Sequence, residues 1–137
     1  MLRDIRSDLG NDLALWQTIA SDATFTGQIV DTAHYESGLL FSFICAVYGD
    51  GTYTPLIEES DDSGMSGATV VPTSSLIGTI AAATLTAVSV VGDPVPTIGV
   101  TTSKRYVRLS IVSTDFVALG SVVVCTTTKM PELKPVA

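Results

Sequence analysis

The chain is poor in charge, in histidine, in cysteine and in aromatic residues. Only 15% of its 137 residues are charged, against roughly 25% in ordinary soluble domains. Seven basic side chains face fourteen acidic ones, a formal net charge of −7. Between Arg6 and Lys104 there is no Lys or Arg, while eleven Asp or Glu lie there. So acidic a body argues against direct coating or packaging of nucleic acid, whose phosphates need cations. The two cysteines, Cys45 and Cys125, carry no CxxC or Cys/His pattern, which excludes a recognisable zinc motif. Both lie in apolar runs and are expected to be buried, reduced thiols. A disulfide would require their strands to lie side by side. There is no Gly-rich phosphate loop, no GxSxG and no HExxH. The single histidine, His34, sits among Asp31 and Glu36. With no nucleophile in a recognisable motif beside it, a turn histidine is a better reading than a general base. No enzyme activity, cofactor or metal is expected.

Long hydrophobic runs are lacking too, although mean hydropathy is positive. Residues 38–49 are too short for a spanning helix, which needs roughly 20 apolar residues. Residues 76–92 are interrupted by Thr79, Thr84, Thr86 and Ser89. The first residues, MLRDIRSDLGND, hold no uninterrupted apolar segment, so neither a secretory signal nor a membrane association is expected.

What the chain does hold is Val, Ile and Thr, punctuated by Gly and Pro. β-branched residues lose rotamer freedom in helices and fit pleated surfaces. Strands are predicted over 23–30, 39–48, 52–59, 78–91 (one or two), 96–101, 104–113 and 119–128. Both faces of 39–48 are apolar, so it should be central and covered on both sides. Gly49-Asp50-Gly51 supplies a tight turn. Pro55 cannot donate to a ladder and pushes 52–59 toward an edge or a bulge. In 104–113, Arg105, Val107, Leu109 and Ile111 share one face, and Lys104, Tyr106, Arg108 and Ser110 the other. About eight antiparallel strands in two sheets is the jelly-roll count, with an immunoglobulin-like sandwich also open. The fold class is therefore all-β: a single antiparallel β-sandwich, jelly-roll-like, over 23–128. An N-terminal arm (1–22) and a C-terminal tail (129–137) flank it.

Leu2, Ile5, Leu9, Leu13 and Trp16 suit an extended arm that orders on a neighbour, or one face of a helix weakened by Gly10 and Asn11. Deleting residues 1–16 should then leave a folded body. Basic residues are confined to Arg3, Arg6, Lys104, Arg105, Arg108, Lys129 and Lys134. Such segregation suits docking on an acidic partner or a neighbouring copy. Leu2, Ile5, Leu9, Leu13, Trp16, Lys104, Arg105, Arg108, Lys129, Pro131 and Lys134 are the candidate partner-binding residues. Glu58, Glu59, Asp61 and Asp62 are four carboxylates in five positions, the oxygen chemistry of calcium. They lack the spacing of a twelve-residue calcium loop, so a solvated strand end and loop is expected.

Four segments, in order, carry a family resemblance: GDGTYTP (49–55), EESDD (58–62), the Ala- and Thr-rich 81–87, and SKRYVRL (103–109). Ile29-Val30-Asp31 and YESGLLF (35–41) precede them. Together they resemble the jelly-roll capsid cement, or decoration, proteins of tailed bacteriophages, the Bordetella podophage type among them. The likeness spans roughly residues 27–128 and departs in the longer 64–75 loop and the 2–16 leader. It implies a structural virion protein made in the bacterial cytoplasm. Such a protein sits on the outer surface of the head and clamps neighbouring major capsid protein subunits, as a homodimer on the capsid. No catalytic residues carry over. The alternatives are another head or tail component, or a carbohydrate-binding β-sandwich module. The latter would use Tyr48, Tyr53, Tyr106 or Trp16 as aromatic platforms.

Overall fold

The structure, a computed structural model, describes residues 12–34 and 38–129. Alternating apolar residues organise most of it. In β3 (Leu39–Val47), Leu39, Phe41, Phe43 and Cys45 point inward and are fully buried. They meet Tyr53 and Ile57 of β4 (Thr52–Ser60), and Val107, Leu109 and Ile111 of β8 (Tyr106–Thr114), across one core. Val123 and Cys125 of β9 (Ser121–Lys129), with Ile98 and Val100 of β7 (Thr97–Val100), complete it. Each such burial is worth about 1.5–3 kcal/mol relative to exposure. β2 (Thr24–Asp31), β5 (Thr69–Val70) and β6 (Leu76–Ile77) fill out the sheets.

The first strand is a correction. Residues 12–19 do not form an arm: they are β1 (Asp12–Ile19), paired antiparallel with β9 along its length. Ala14, Leu15 and Ile19 enter the core. The segment is extended, as read from sequence, but it lies on its own chain. Removal of residues 1–16 would therefore take more than half of an integral strand. Within β1 a bulge between Leu13 and Leu15 shifts the inward phase by one residue.

One sheet has the order β1-β9-β3-β7-β6, the other β2-β8-β4-β5. The pairs β1 with β9, β2 with β8, β3 with β7 and β4 with β5 are all antiparallel. First strand pairs with last, second with next to last, and so inward, with β6 added beside β7. This is one long hairpin wound over itself, the jelly-roll path. β3 is central, between β9 and β7. Its second face, expected to be covered, is only half-buried at Leu40, Ser42 and Ile44. Pro55 fits its expectation. Tyr53, of the same backbone parity, directs its N–H away from β8 to the Leu85 carbonyl at 3.0 Å. The absent N–H of Pro55 thus faces the open edge between that bridge and β5, which pairs only with Glu58 and Glu59.

The segment 78–91 is not a strand. Gly78 has φ +104°, a conformation that side chains with a Cβ disfavour. Thr79 then accepts the Ala82 N–H at 3.2 Å and caps a single helical turn, α1 (Ile80–Ala83). Alanine, the best helix former, supplies that turn.

The winding sorts the connections to two ends. Ile19 lies opposite Ser121, and Thr52 opposite Thr114. The turns 20–23, 48–51 and 115–120 thus gather at one end. At the other, Asp31 and Ser60 both flank Tyr106, and Leu39 lies opposite Lys129. Asp12 lies opposite Thr127, so the chain also begins β1 and finishes β9 at that second end.

Candidate docking surface

Of the basic residues picked out by sequence, Lys104, Arg105 and Arg108 sit at the second end, and each has an intrachain partner. Lys104 Nζ lies 2.8 Å from Asp61 Oδ2. Arg105 donates from Nε and Nη2 to the two carboxylate oxygens of Asp31, both at 3.1 Å. Its guanidinium also rests 5.4 Å from the centre of the Tyr106 ring. Arg108 Nη2 lies 3.2 Å from Glu58 Oε1, with both side chains largely covered. The hydrogen bond from Lys104 to Asp61, then their attraction, raises the lysine pKa; Asp31 does the same for Arg105. The register explains the meeting. β4 and β8 run antiparallel, so EESDD and SKRYVRL, far apart in sequence, face one another. These cations are used within the chain.

The acidic run is likewise occupied. Glu59 accepts a hydrogen bond from Thr102 Oγ1. Asp62 Oδ2 accepts the N–H groups of Gly64 and Ser66, at 2.8 and 3.2 Å, and shapes the 61–68 loop. Among the described residues, no three metal-ligating side chains cluster. Leu2, Ile5, Leu9, Pro131 and Lys134 lie outside the described residues. So do Tyr35 and Glu36 beside His34 and the side chain of His34 itself. Lys129 closes β9. Among the described residues no helix is long and apolar enough to cross a membrane.

The first end is different in kind. The bend 84–96 starts at the Tyr53–Leu85 bridge and crosses to β3. There Ser89 N donates to the Cys45 carbonyl, its Oγ accepts the Cys45 N–H (both 2.9 Å), and Phe43 N donates to the Pro96 carbonyl at 3.0 Å. Val88, Val90, Val91 and Val95 project from this bend into solvent. The 115–120 loop flanks the end of β3 on its other side. Asp50 holds it: Oδ1 accepts the Val117 N–H at 3.0 Å, and Oδ2 those of Ala118 and Leu119 at 2.9 and 2.8 Å. These bonds, the Leu119 N–H first, pull the Asp50 pKa below its ordinary value. Asp22 accepts the Phe116 N–H at 2.9 Å. Behind the turn, Tyr53 Oη donates to Ser121 Oγ at 2.7 Å, and Ser121 Oγ accepts the Gly49 N–H at 3.0 Å. On this braced frame Val117 is 81% and Leu119 64% exposed, Val91 fully so, and Val47 lies between.

The acids of this end, Asp22, Asp50, Asp93 and Asp115, have no Lys or Arg beside them among the described residues. Seven apolar side chains thus stand outward at one end: Val47, Val88, Val90, Val91, Val95, Val117 and Leu119. Exposed apolar side chains grouped at one end make it a candidate surface for association. Sequence reading missed it because 78–91 read as one strand or two. The visible signal was apolar residues between turn formers, AVSVVGDPVP at 87–96.

Three of the four candidate aromatic platforms serve the fold. Tyr53 is fully buried, which raises its pKa. Tyr48 donates to the Gly51 carbonyl at 2.8 Å and packs edge-on against Tyr53. Tyr106 lies under Arg105. Trp16 alone stands free, 66% exposed, with Leu13 beside it on β1 at 55%. Cys45 and Cys125 are both buried and free of any disulfide. Their strands are neighbours, but Cys45 lies opposite Val123 and Cys125 opposite Phe43. Comparisons of the chain with family models, with curated proteins and with solved structures found no match.

Proposed function

We propose that this chain is a structural virion protein. It binds the outside of a tailed-phage head and cements neighbouring major capsid protein subunits, acting there as a homodimer. The observation that carries the reading is the braced apolar end, with Val91, Val117 and Leu119 held outward by hydrogen-bonded loops. A surface organised in advance loses little conformational freedom when it is covered. Repetition over a symmetric shell then multiplies weak contacts. Binding the mature shell better than its competing states stabilises it. The motifs of the family resemblance support the reading at the level of fold, since EESDD and SKRYVRL pair across β4 and β8.

The test uses purified heads of the encoding phage and gel densitometry of bound chain. Val91→Asp and the pair Val117→Asp/Leu119→Asp should each weaken binding at least about tenfold, with melting temperatures unchanged. Full occupancy by these variants, or no binding by the parent chain, would sink the reading.

A further inference from the structure

Trp16 is the only tryptophan of the chain. A tryptophan side chain buries about 150–250 Å² when covered, so its exposure on a strand of the sandwich calls for a reason. Backbone geometry put it there. At the β1 bulge Leu13 lies opposite Thr126 and Leu15 opposite Cys125, with Ala14 as the extra residue. The bulge turns Leu15 into the core and sends Trp16 out. β2 has its own irregularity between Thr26 and Ile29. The two irregular stretches nest. A Cβ on Gly27 would stand 2.5 Å from both the Ala14 and the Leu109 carbonyl oxygens. Only glycine allows β2 to approach β1 this closely. Bulges of this type re-aim side chains beside binding sites.

Between the two strands lies a groove of about 320 Å³, lined by residues 13–17 and 26–28. That is near the lower bound of ligand pockets. Its lining includes one indole, the two amides of Gln17 and Gln28, and the Thr26 hydroxyl, with no charged residue among the described residues. The Gln17 amide is steadied by donation to the Thr18 carbonyl at 2.9 Å. Amides and hydroxyls both donate and accept, as sugar hydroxyls do. An indole face packs on the C–H face of a sugar ring. A phosphorylated, sulfated or sialylated ligand would meet no cation in the lining, on a chain of net charge −7.

We infer that the β1–β2 groove is a binding site for a neutral oligosaccharide, with Trp16 as the stacking platform and Gln28 and Thr26 as hydroxyl partners. The inference is independent of the head-binding reading, since it involves none of the residues of the valine-rich end.

The full chain is titrated with neutral glucans, mannans and galactans, and with sialylated and sulfated glycans for contrast. The fluorescence of the single tryptophan reports occupancy directly, and a glycan array surveys the ligands. The expected result is a saturable fluorescence change with a neutral glycan and none with the acidic ones. On the array and by calorimetry, Trp16→Ala should weaken binding at least about tenfold, Trp16→Phe less, and Gln28→Ala about fivefold. Melting temperatures should not move, because both side chains are exposed. Absence of any neutral-glycan signal, stronger binding of acidic glycans, or undiminished binding by Trp16→Ala would overturn the inference. So would loss of head attachment in Trp16→Ala without any glycan binding by the parent, which would give Trp16 to a protein contact.

Discussion

At one end of the sandwich Lys104, Arg105 and Arg108 each meet a carboxylate of the same chain. At the other, the aspartates have no cation beside them, and seven apolar side chains face outward. Among the described residues the charged end is satisfied by itself. Its charges hold loops 61–68 and 101–105 and the start of β8 together. The apolar end spends polar groups on bracing: Asp50 and Asp22 take backbone N–H groups, and seven apolar side chains remain outward. The lesson concerns where to look for a partner surface. In the sequence the rare cations draw attention, because they are segregated. In the structure Lys104, Arg105 and Arg108 are tied up within the chain, and among the described residues the apolar end is the one with no cation.

The contrast can be broken most severely at β1, which begins at the charged end. Removing residues 1–16 should abolish cooperative folding, whereas removing residues 1–11 should leave it. Ala14 and Leu15 are core residues, and loss of buried side chains of this size costs about 2–5 kcal/mol even before the ladder is counted. Circular dichroism and thermal melts would decide. A cooperative, native-like melt for the 1–16 deletion would return β1 to the status of an arm.

The next effect is at the charged end. Arg108 and Glu58 are about four-fifths covered, so Arg108→Ala strands a carboxylate in poor contact with water. A loss of about 1–3 kcal/mol is expected by chemical denaturation. Lys104→Ala, at an exposed pair, should change much less. Equal effects would mean that burial does not distinguish these pairs.

A smaller and local effect is expected at the apolar end. The Asp50 pKa is lower folded than unfolded, so its clamp contributes above the ordinary aspartate pKa of about 4. It is lost as pH falls through the folded value. Amides of Val117, Ala118 and Leu119 should lose hydrogen-exchange protection in Asp50→Ala at neutral pH, and in the parent chain in acid. Unchanged protection would show that the loop is held by other contacts. Least of all should change at the thiols. Burial pushes Cys125 up to about 12, so maleimide should label it only on global unfolding. Rapid labelling of the native chain would contradict the burial of β9.

Much of the fold was legible. β8 follows from alternation, because a strand with one buried face must repeat every second residue, and β3, β4 and β9 from apolar, β-branched runs bounded by turn residues. The turn at Gly49-Asp50-Gly51 follows from glycine chemistry. The failures share a physical cause. β1 was hidden by its bulge, which breaks alternation at Ala14. The 78–91 segment has strand-like composition, but Gly78 and the Thr79 cap divert it. The ion pairs were illegible because Glu58 and Arg108 are 50 residues apart and meet only through β4–β8 register.

The sequence by itself determined an all-β chain with an acidic, charge-poor body and a half-buried strand, read at 104–113 and found at Tyr106–Thr114. These follow from local side-chain chemistry, which each segment carries alone. Tertiary structure decided which cations are neutralised, which valines lie outside the core, and that Trp16 overlooks a groove. Each of these depends on the nested pairing of strands far apart in the chain, and no local pattern encodes that pairing.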